Sequence, residues 1–182
     1  MYDKHASSNI EFVVTIPEPY GAELAYEARV RTTLGVITQL IARAQQQLVI
    51  AAPFIQPHES LERGPLAEAL RAALRRGVNV DLVSTGSSLE ALTLDDRCRE
   101  SCGRIRLFQP HVNVEEERRL GLHAKFYIAD DRYAYIGSAN LTIPGLSENL
   151  EMGLLIHGEI AQQIAEFWRL LLDKEFFVEI RL

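Results

Sequence analysis

GLHAKFYIADDRYAYIGSANLTIPGLSENLEMG, residues Gly121 to Gly153, decides how the rest of this chain is read. Two apolar runs, Leu122 to Ala129 and Tyr133 to Gly137, flank Asp130-Asp131-Arg132, the composition of an antiparallel hairpin. A third run, Leu150 to Ile156, follows the break at Pro144-Gly145. Three polar pairs stand at the ends of these runs: His123 with Lys125, Ser138 with Asn140, and Asn149 with Glu151. Residues two apart on a strand share a face, so each pair can aim at one place. An imidazole, an ammonium, an amide and a carboxylate that converge suggest chemistry on an anion. Asp130 stands apart. It lies five residues past Lys125, which would turn it to the other face of an unbroken strand. In the hairpin turn its carboxylate can accept backbone N–H bonds, so it reads as structural.

Upstream, helical and strand patterns alternate. Leu34, Ile37, Leu40, Ile41 and Ala44 make a helical stripe, and Leu48 to Ala52 a buried strand closed by Pro53. Pro65 suits the first turn of a second helix with Leu66, Ala69, Leu70, Ala73 and Leu74 on one side, stopped by Gly77. Val78, Val80 and Leu82 head a strand that ends at Ser84-Thr85-Gly86; a third helix over 88–101 and a strand at Ile105 and Leu107 follow. This β-α-β-α-β order implies parallel strands joined by helical crossovers. Downstream, Ile160, Ile164, Phe167, Trp168 and Leu171 fall at helical spacing, and Val178, Ile180 and Leu182 alternate as in a short last strand. The expected fold is α/β, a mixed, largely parallel sheet with helices on both faces. Residues 1–25 read as an N-terminal arm, whose run Ile10 to Ile16 can form an edge strand before Pro17 and Pro19; residues 26–182 read as one domain.

Composition narrows the function. A chain of 182 residues, 47% apolar, can bury one proper core. Its formal net charge of -6 argues against a positive coat for indiscriminate nucleic-acid binding and against docking on an anionic membrane. A small basic cleft for phosphate remains allowed, because a net sum says nothing about local distribution. The first residues lack a basic start followed by an apolar core, and no apolar run approaches the ~18–20 residues of a membrane helix. A cytoplasmic protein without stable membrane association is therefore expected. Cys98 and Cys102, without a second ligand pair, make a poor zinc site and read as free thiols.

His123-x-Lys125-x4-Asp130-x6-Gly137-Ser138-x-Asn140 resembles, position for position, the HKD signature of the phospholipase D superfamily, and Asn149-x-Glu151 resembles that pattern's second element. The resemblance implies metal-free attack on a phosphodiester with no cofactor: one histidine becomes a phosphohistidine and a second protonates the leaving oxygen. The nucleophile it implies falls on His123, and the residues fit: Lys125 and the Asn140 amide can donate to the non-bridging oxygens, Ser138 can add a donor or orient the others, and Glu151 is suited to hold an imidazole N–H. Asp130, Gly137 and Asn149 fall to the structural part of the motif. Imidazole suits this role because much of it is unprotonated near its ordinary pKa of about 6.5. The chain carries one signature, and short relatives of this kind pair as homodimers, so the second histidine is expected from a twin His123.

The expected substrate is nucleic acid, DNA before RNA, since short relatives with a single signature resemble nucleases or accessory proteins of restriction and phage-defence complexes. Other subunits of such a complex are possible partners. The alternatives are a phospholipase or phosphatidyltransferase, and a non-hydrolytic module binding DNA or protein. No Lys- and Arg-rich interfacial helix supports the lipid reading. The remaining histidines carry less: His58, in a loop after the first buried strand, is an intramolecular alternative for the second histidine but reads first as a surface loop residue, His5 and His111 lack supporting neighbours, and His157 ends a strand. Thr85-Gly86-Ser87-Ser88 can bind an anion or cap a helix, and Arg118-Arg119 can steer phosphate or offset Glu115 to Glu117.

Overall fold

The hairpin of the opening stretch lies in the interior of a sheet with nine strands among the described residues. A computed structural model describes residues 9–56, 63–85, 103–111 and 121–180. The strands are β1 (Ile10–Thr15), β2 (Arg31–Thr32), β3 (Gln47–Ala51), β4 (Asn79–Val83), β5 (Ile105–Pro110), β6 (Lys125–Ala129), β7 (Tyr133–Gly137), β8 (Glu151–His157) and β9 (Phe177–Ile180). The helices are α1 (Gly21–Glu27), α2 (Thr33–Arg43), α3 (Pro65–Arg75) and α4 (Glu159–Asp173), with a π-helical turn at Pro144–Glu148. Among the described residues the sheet order is β2-β1-β8-β7-β6-β3-β4-β5-β9.

Local sequence explains the helix starts. Thr32 caps α2 by accepting from the Gly35 N–H at 3.3 Å, and Pro65 opens α3 where its missing N–H costs nothing. Alternation then distributes the core. Leu48, Ile50, Val80, Leu82 and Tyr127 point to one face and pack with Ile37, Leu40, Ile41, Leu70 and Leu74 of α2 and α3. Val49, Ala51, Val83 and Ile128 point to the other, against Ala161, Ala165 and Trp168 of α4. Each fully buried Leu or Ile contributes roughly 1.5–3 kcal/mol.

The expected mixed sheet with helices on both faces is present, but its balance differs. Among the described residues only β1–β2, β3–β4 and β4–β5 pair in parallel, and the other five neighbouring pairs are antiparallel. The reason is connection: β6 enters beside β3 in the reverse sense, and β9 returns against β5. The Ile10 to Ile16 run is not an edge strand. All of β1 pairs with β8, from Ile10↔Ile156 to Thr15↔Glu151, while the two residues of β2 lie outside it. The expected helix over 88–101, the two cysteines, His5, His58 and Arg118-Arg119 fall outside the described residues.

Candidate active site

Antiparallel pairing brings the start of β6, the end of β7 and the start of β8 to one edge of the sheet. The register aligns Lys125 with Gly137 and Gly137 with Gly153. Thus His123, just before β6, Ser138 and Asn140, just after β7, and Asn149 and Glu151, entering β8, collect at the same edge. The motif is discontinuous by up to 28 positions in sequence yet local in the fold, because the hairpin returns on itself.

Each polar side chain has a defined place. Lys125 is buried, 7% exposed, and its ammonium donates to the His123 carbonyl at 2.8 Å. This bond fixes the backbone of the exposed His123 while a cation sits beside it. Ser138 N–H donates to the Met152 carbonyl at 3.0 Å, and its hydroxyl accepts from the Met152 N–H at 3.2 Å. The same hydroxyl donates to Glu151, whose other oxygen accepts from the Asn149 amide at 3.4 Å. Buried Ala139 and Leu141 flank Asn140, and Leu141 pairs with Ile55, its N–H donating to the Phe54 carbonyl. The Asn140 Oδ1 atom is buried without a partner among the described residues.

Glu151 makes no hydrogen bond to the His123 ring among the described residues; β6 and β8, which carry the two, lie on either side of β7, roughly 9–10 Å apart. Among the described residues the His123 ring makes no hydrogen bond, so both nitrogens are open to substrate or a partner. Asp130 is engaged at the far end of β6. Its carboxylate accepts from the backbone N–H groups of Gln45, Gln46 and Gln47 at 2.7, 2.8 and 3.0 Å, tying the hairpin turn to the entry of β3. Asp130 and Asp131 both have positive φ, 51° and 57°, and Arg132 N–H donates to the Ala129 carbonyl, closing a tight turn of three residues between the paired Ala129 and Tyr133.

Three residues that sequence reasoning passed over support the edge. Tyr135 lies under it: a Cβ at Gly137 would stand 2.3 Å from its hydroxyl, and one at Gly153 2.5 Å, so the paired glycines reserve that space. Burial pushes the Tyr135 hydroxyl above its ordinary pKa; Thr33 opposes the shift and the Glu151 charge adds to it. Thr15, opposite Glu151 on β1, donates to the Gly145 carbonyl at 3.2 Å and holds the π turn. Gly145 in turn presses on Asn140, since a Cβ there would be 2.5 Å from the Asn140 carbonyl. The in-register spacing of Gly137 and Gly153 is the one sequence signal that points to Tyr135. His111 and His157 lie elsewhere: His157 ends β8, facing Glu11 at 3.2 Å, and His111 follows β5. Thr85 donates to the Pro53 carbonyl.

Such an edge presents an unencumbered imidazole beside a buried ammonium and a linked hydroxyl, carboxylate and amide, a set suited to bind and attack a phosphoryl group. Among the described residues no three His, Cys, Asp or Glu side chains cluster as metal ligands, and no helix is long and apolar enough to cross a membrane.

Residues 37–171 match the family model described as cardiolipin synthase, PLD-like domain. The DISARM protein DrmC of Bacillus paralicheniformis is 30% identical over 98% of this chain and 69% of its own length. Cardiolipin synthase B of Salmonella typhi is 32% identical over 69% of this chain, which corresponds to 28% of that protein. Among solved structures, NucT from Helicobacter pylori superposes with a TM-score of 0.63 at 17% identity, covering 94% of this chain and 99% of that one. Nuc from Salmonella typhimurium, a phospholipase D family member, gives 0.59 at 20% identity, covering 95% and 99%. These likenesses span the sheet edge that carries the motif, and the chain belongs to the phospholipase D-like family.

Proposed function

We propose that this chain is a metal-independent phosphodiesterase that cleaves nucleic acid, DNA before RNA, through a phosphohistidine at His123. The observation that carries this reading is the free His123 ring beside Lys125, at the edge where Ser138, Asn140, Asn149 and Glu151 also meet. An unprotonated His123 nitrogen attacks phosphorus, and the bond to the leaving oxygen breaks. The imidazolium of the second copy's His123 gives its proton to that oxygen. Water then attacks the phosphohistidine, the same second imidazole takes a proton from it, and the P–N bond breaks. Lys125, Asn140 and the Ser138 hydroxyl donate to the non-bridging oxygens, where transition-state charge collects. Glu151 accepts from an imidazole N–H and stabilises its charged form.

Likeness to the DISARM protein DrmC over nearly the whole chain supports work within a defence complex, which would also present DNA to a protein of net charge -6. Likeness to cardiolipin synthase B, together with an apolar groove beside His123, favours phosphatidyl transfer as the second reading. A non-hydrolytic module in such a complex is the third. Incubating the protein with single-stranded DNA, double-stranded DNA and phosphatidylglycerol micelles, all in EDTA and beside His123→Ala, separates them. Cleavage of DNA by the wild type alone supports the nuclease. Turnover of lipid alone transfers the assignment to the lipid reading, and DNA binding without cleavage to the module.

A further inference from the structure

Phe54 is 60% exposed, between buried Pro53 and Ile55, on a stretch whose backbone is tightly held. The Ser84 hydroxyl donates to the Ala52 and Pro53 carbonyls at 2.7 and 3.2 Å, and the Thr85 hydroxyl to the Pro53 carbonyl at 2.9 Å. The Phe54 carbonyl accepts from the Leu141 N–H at 3.2 Å, and the Gln56 N–H donates to the Leu141 carbonyl at 3.0 Å. The Gln56 side chain accepts from the Ile143 N–H at 3.1 Å. A ring left in water on such a backbone forgoes the stabilisation that burial of a Phe gives. It is also ordered before any ligand arrives, which favours binding. Topology puts it at the site. β6 lies between β3 and β7 in the sheet. Ala51 stands opposite Phe126, so the chain leaves β3 level with Lys125, and at Ile55 it has reached Leu141, beyond the end of β7. Residues 52–55 therefore cross the end of β6 that His123 enters, and Phe54 bonds the residue next to Asn140.

We infer that Phe54 is a substrate-binding residue whose ring stacks on the nucleobase next to the phosphate held at His123. The inference rests on the nuclease reading above and names the part of the substrate, besides phosphate, that the site grips. Three features select a base. Lys125, Asn140 and Ser138 offer donors to phosphate oxygens, which position a strand and leave its bases unheld. A chain of net charge -6 has little general attraction for the backbone of a nucleic acid, so affinity must come from another contact. A base supplies one, because every base has a flat π face that stacks on an aromatic ring regardless of sequence. The base that meets Phe54 is unpaired, since its face must leave the duplex stack to reach the ring. An acyl chain is the poorer occupant: it gains most from an enclosed apolar wall, and Phe54 is a single outward ring between buried neighbours, with the polar Gln56 and Asn140 beside it.

Two strands of equal length and charge test this: a short oligothymidylate and the same backbone with every base removed. On oligothymidylate, Phe54→Ala should raise KM roughly 5–100-fold while kcat changes less than about two-fold. Phe54→Leu, apolar but without a π face, should behave like Phe54→Ala, and Phe54→Trp should restore the wild-type KM. On the abasic strand all four proteins should have the same KM. Binding is read apart from cleavage by Phe54→Trp in the His123→Ala background, with His123→Ala alone as the blank for Trp168. Its added fluorescence should be quenched by oligothymidylate and left unchanged by the abasic strand. Equal KM for wild type and Phe54→Ala overturns the inference, as does an equal loss on both strands or a fluorescence indifferent to oligothymidylate. A blue shift with phosphatidylglycerol micelles and no response to oligothymidylate assigns the ring to lipid and also overturns it. Base-dependent quenching in a protein whose wild type cleaves no DNA keeps the stacking contact and refutes the nuclease.

Discussion

The Ser138 hydroxyl donates to Glu151 across the β7–β8 edge while accepting from the Met152 N–H, so the carboxylate is anchored to a strand end and not left on a mobile stem. Removing the anchor and removing the charge should differ. Ser138→Ala is expected to lower kcat for DNA cleavage by roughly ten-fold, and Glu151→Gln by roughly a hundred-fold or more, because the latter loses the charge that stabilises an imidazolium. Single-turnover cleavage measures both. Equal losses would place the whole effect in positioning.

Asp130 works at the opposite end of the hairpin, accepting from three consecutive backbone N–H groups, Gln45 to Gln47. Asp130→Ala leaves those donors to water and frees two residues of positive φ in the turn. A destabilisation of about 2–4 kcal/mol is expected. Calorimetry should show this as a fall of about 5–15 °C in Tm. Per folded molecule, cleavage should remain near the wild-type rate.

Gly153 is held empty by Tyr135. A methyl at Gly153 meets the Tyr135 hydroxyl at 2.5 Å and its ring at 2.6 Å. Gly153→Ala should cost about 1–3 kcal/mol by overpacking. Adding Tyr135→Phe should recover part of that loss, which a double-mutant cycle in urea detects as a favourable coupling. No recovery would mean the ring alone sets the clash.

Asp81 predicts a pH effect away from the site. It is buried against Arg106, bound at 2.8 and 2.9 Å through both carboxylate oxygens. Burial raises its pKa above 3.8, and Arg106 only partly opposes this. A folded-state pKa above the unfolded value means the folded chain holds the proton more tightly. The stability Asp81 contributes is therefore fully present below pH 3.8 and is lost as pH rises through the folded-state value. The Tm difference between wild type and Asp81→Asn should move against the wild type as pH rises from about 4 to 7. A constant difference, or one moving the other way, would contradict the shift.

Much of this was legible in the sequence because period and spacing are local properties. The stripes of α2, α3 and α4, the strand Leu48 to Ala52 and the hairpin around Asp130 all follow from alternation and turn chemistry. Sheet order was not, since nothing local tells β6 to enter antiparallel beside β3 or β9 to return along β5. Strand parity also misleads on the second face: Phe12 and Leu154 look like core by pattern, yet 47% and 41% of each is exposed. In the site, the residues with motif spacing were visible, whereas Tyr135 and Thr15 act through packing and register that spacing does not encode.

The central claim is that His123 attacks phosphorus. Mixing stoichiometric protein with an oligonucleotide labelled with ³²P at the scissile phosphate, in EDTA, and quenching in base within milliseconds to seconds tests it directly. The account predicts label on the wild-type protein that survives base and is released by acid, as a phosphoramidate is, and no label on His123→Ala. Efficient cleavage with no protein-bound label at any time, or equal labelling of His123→Ala, would contradict it.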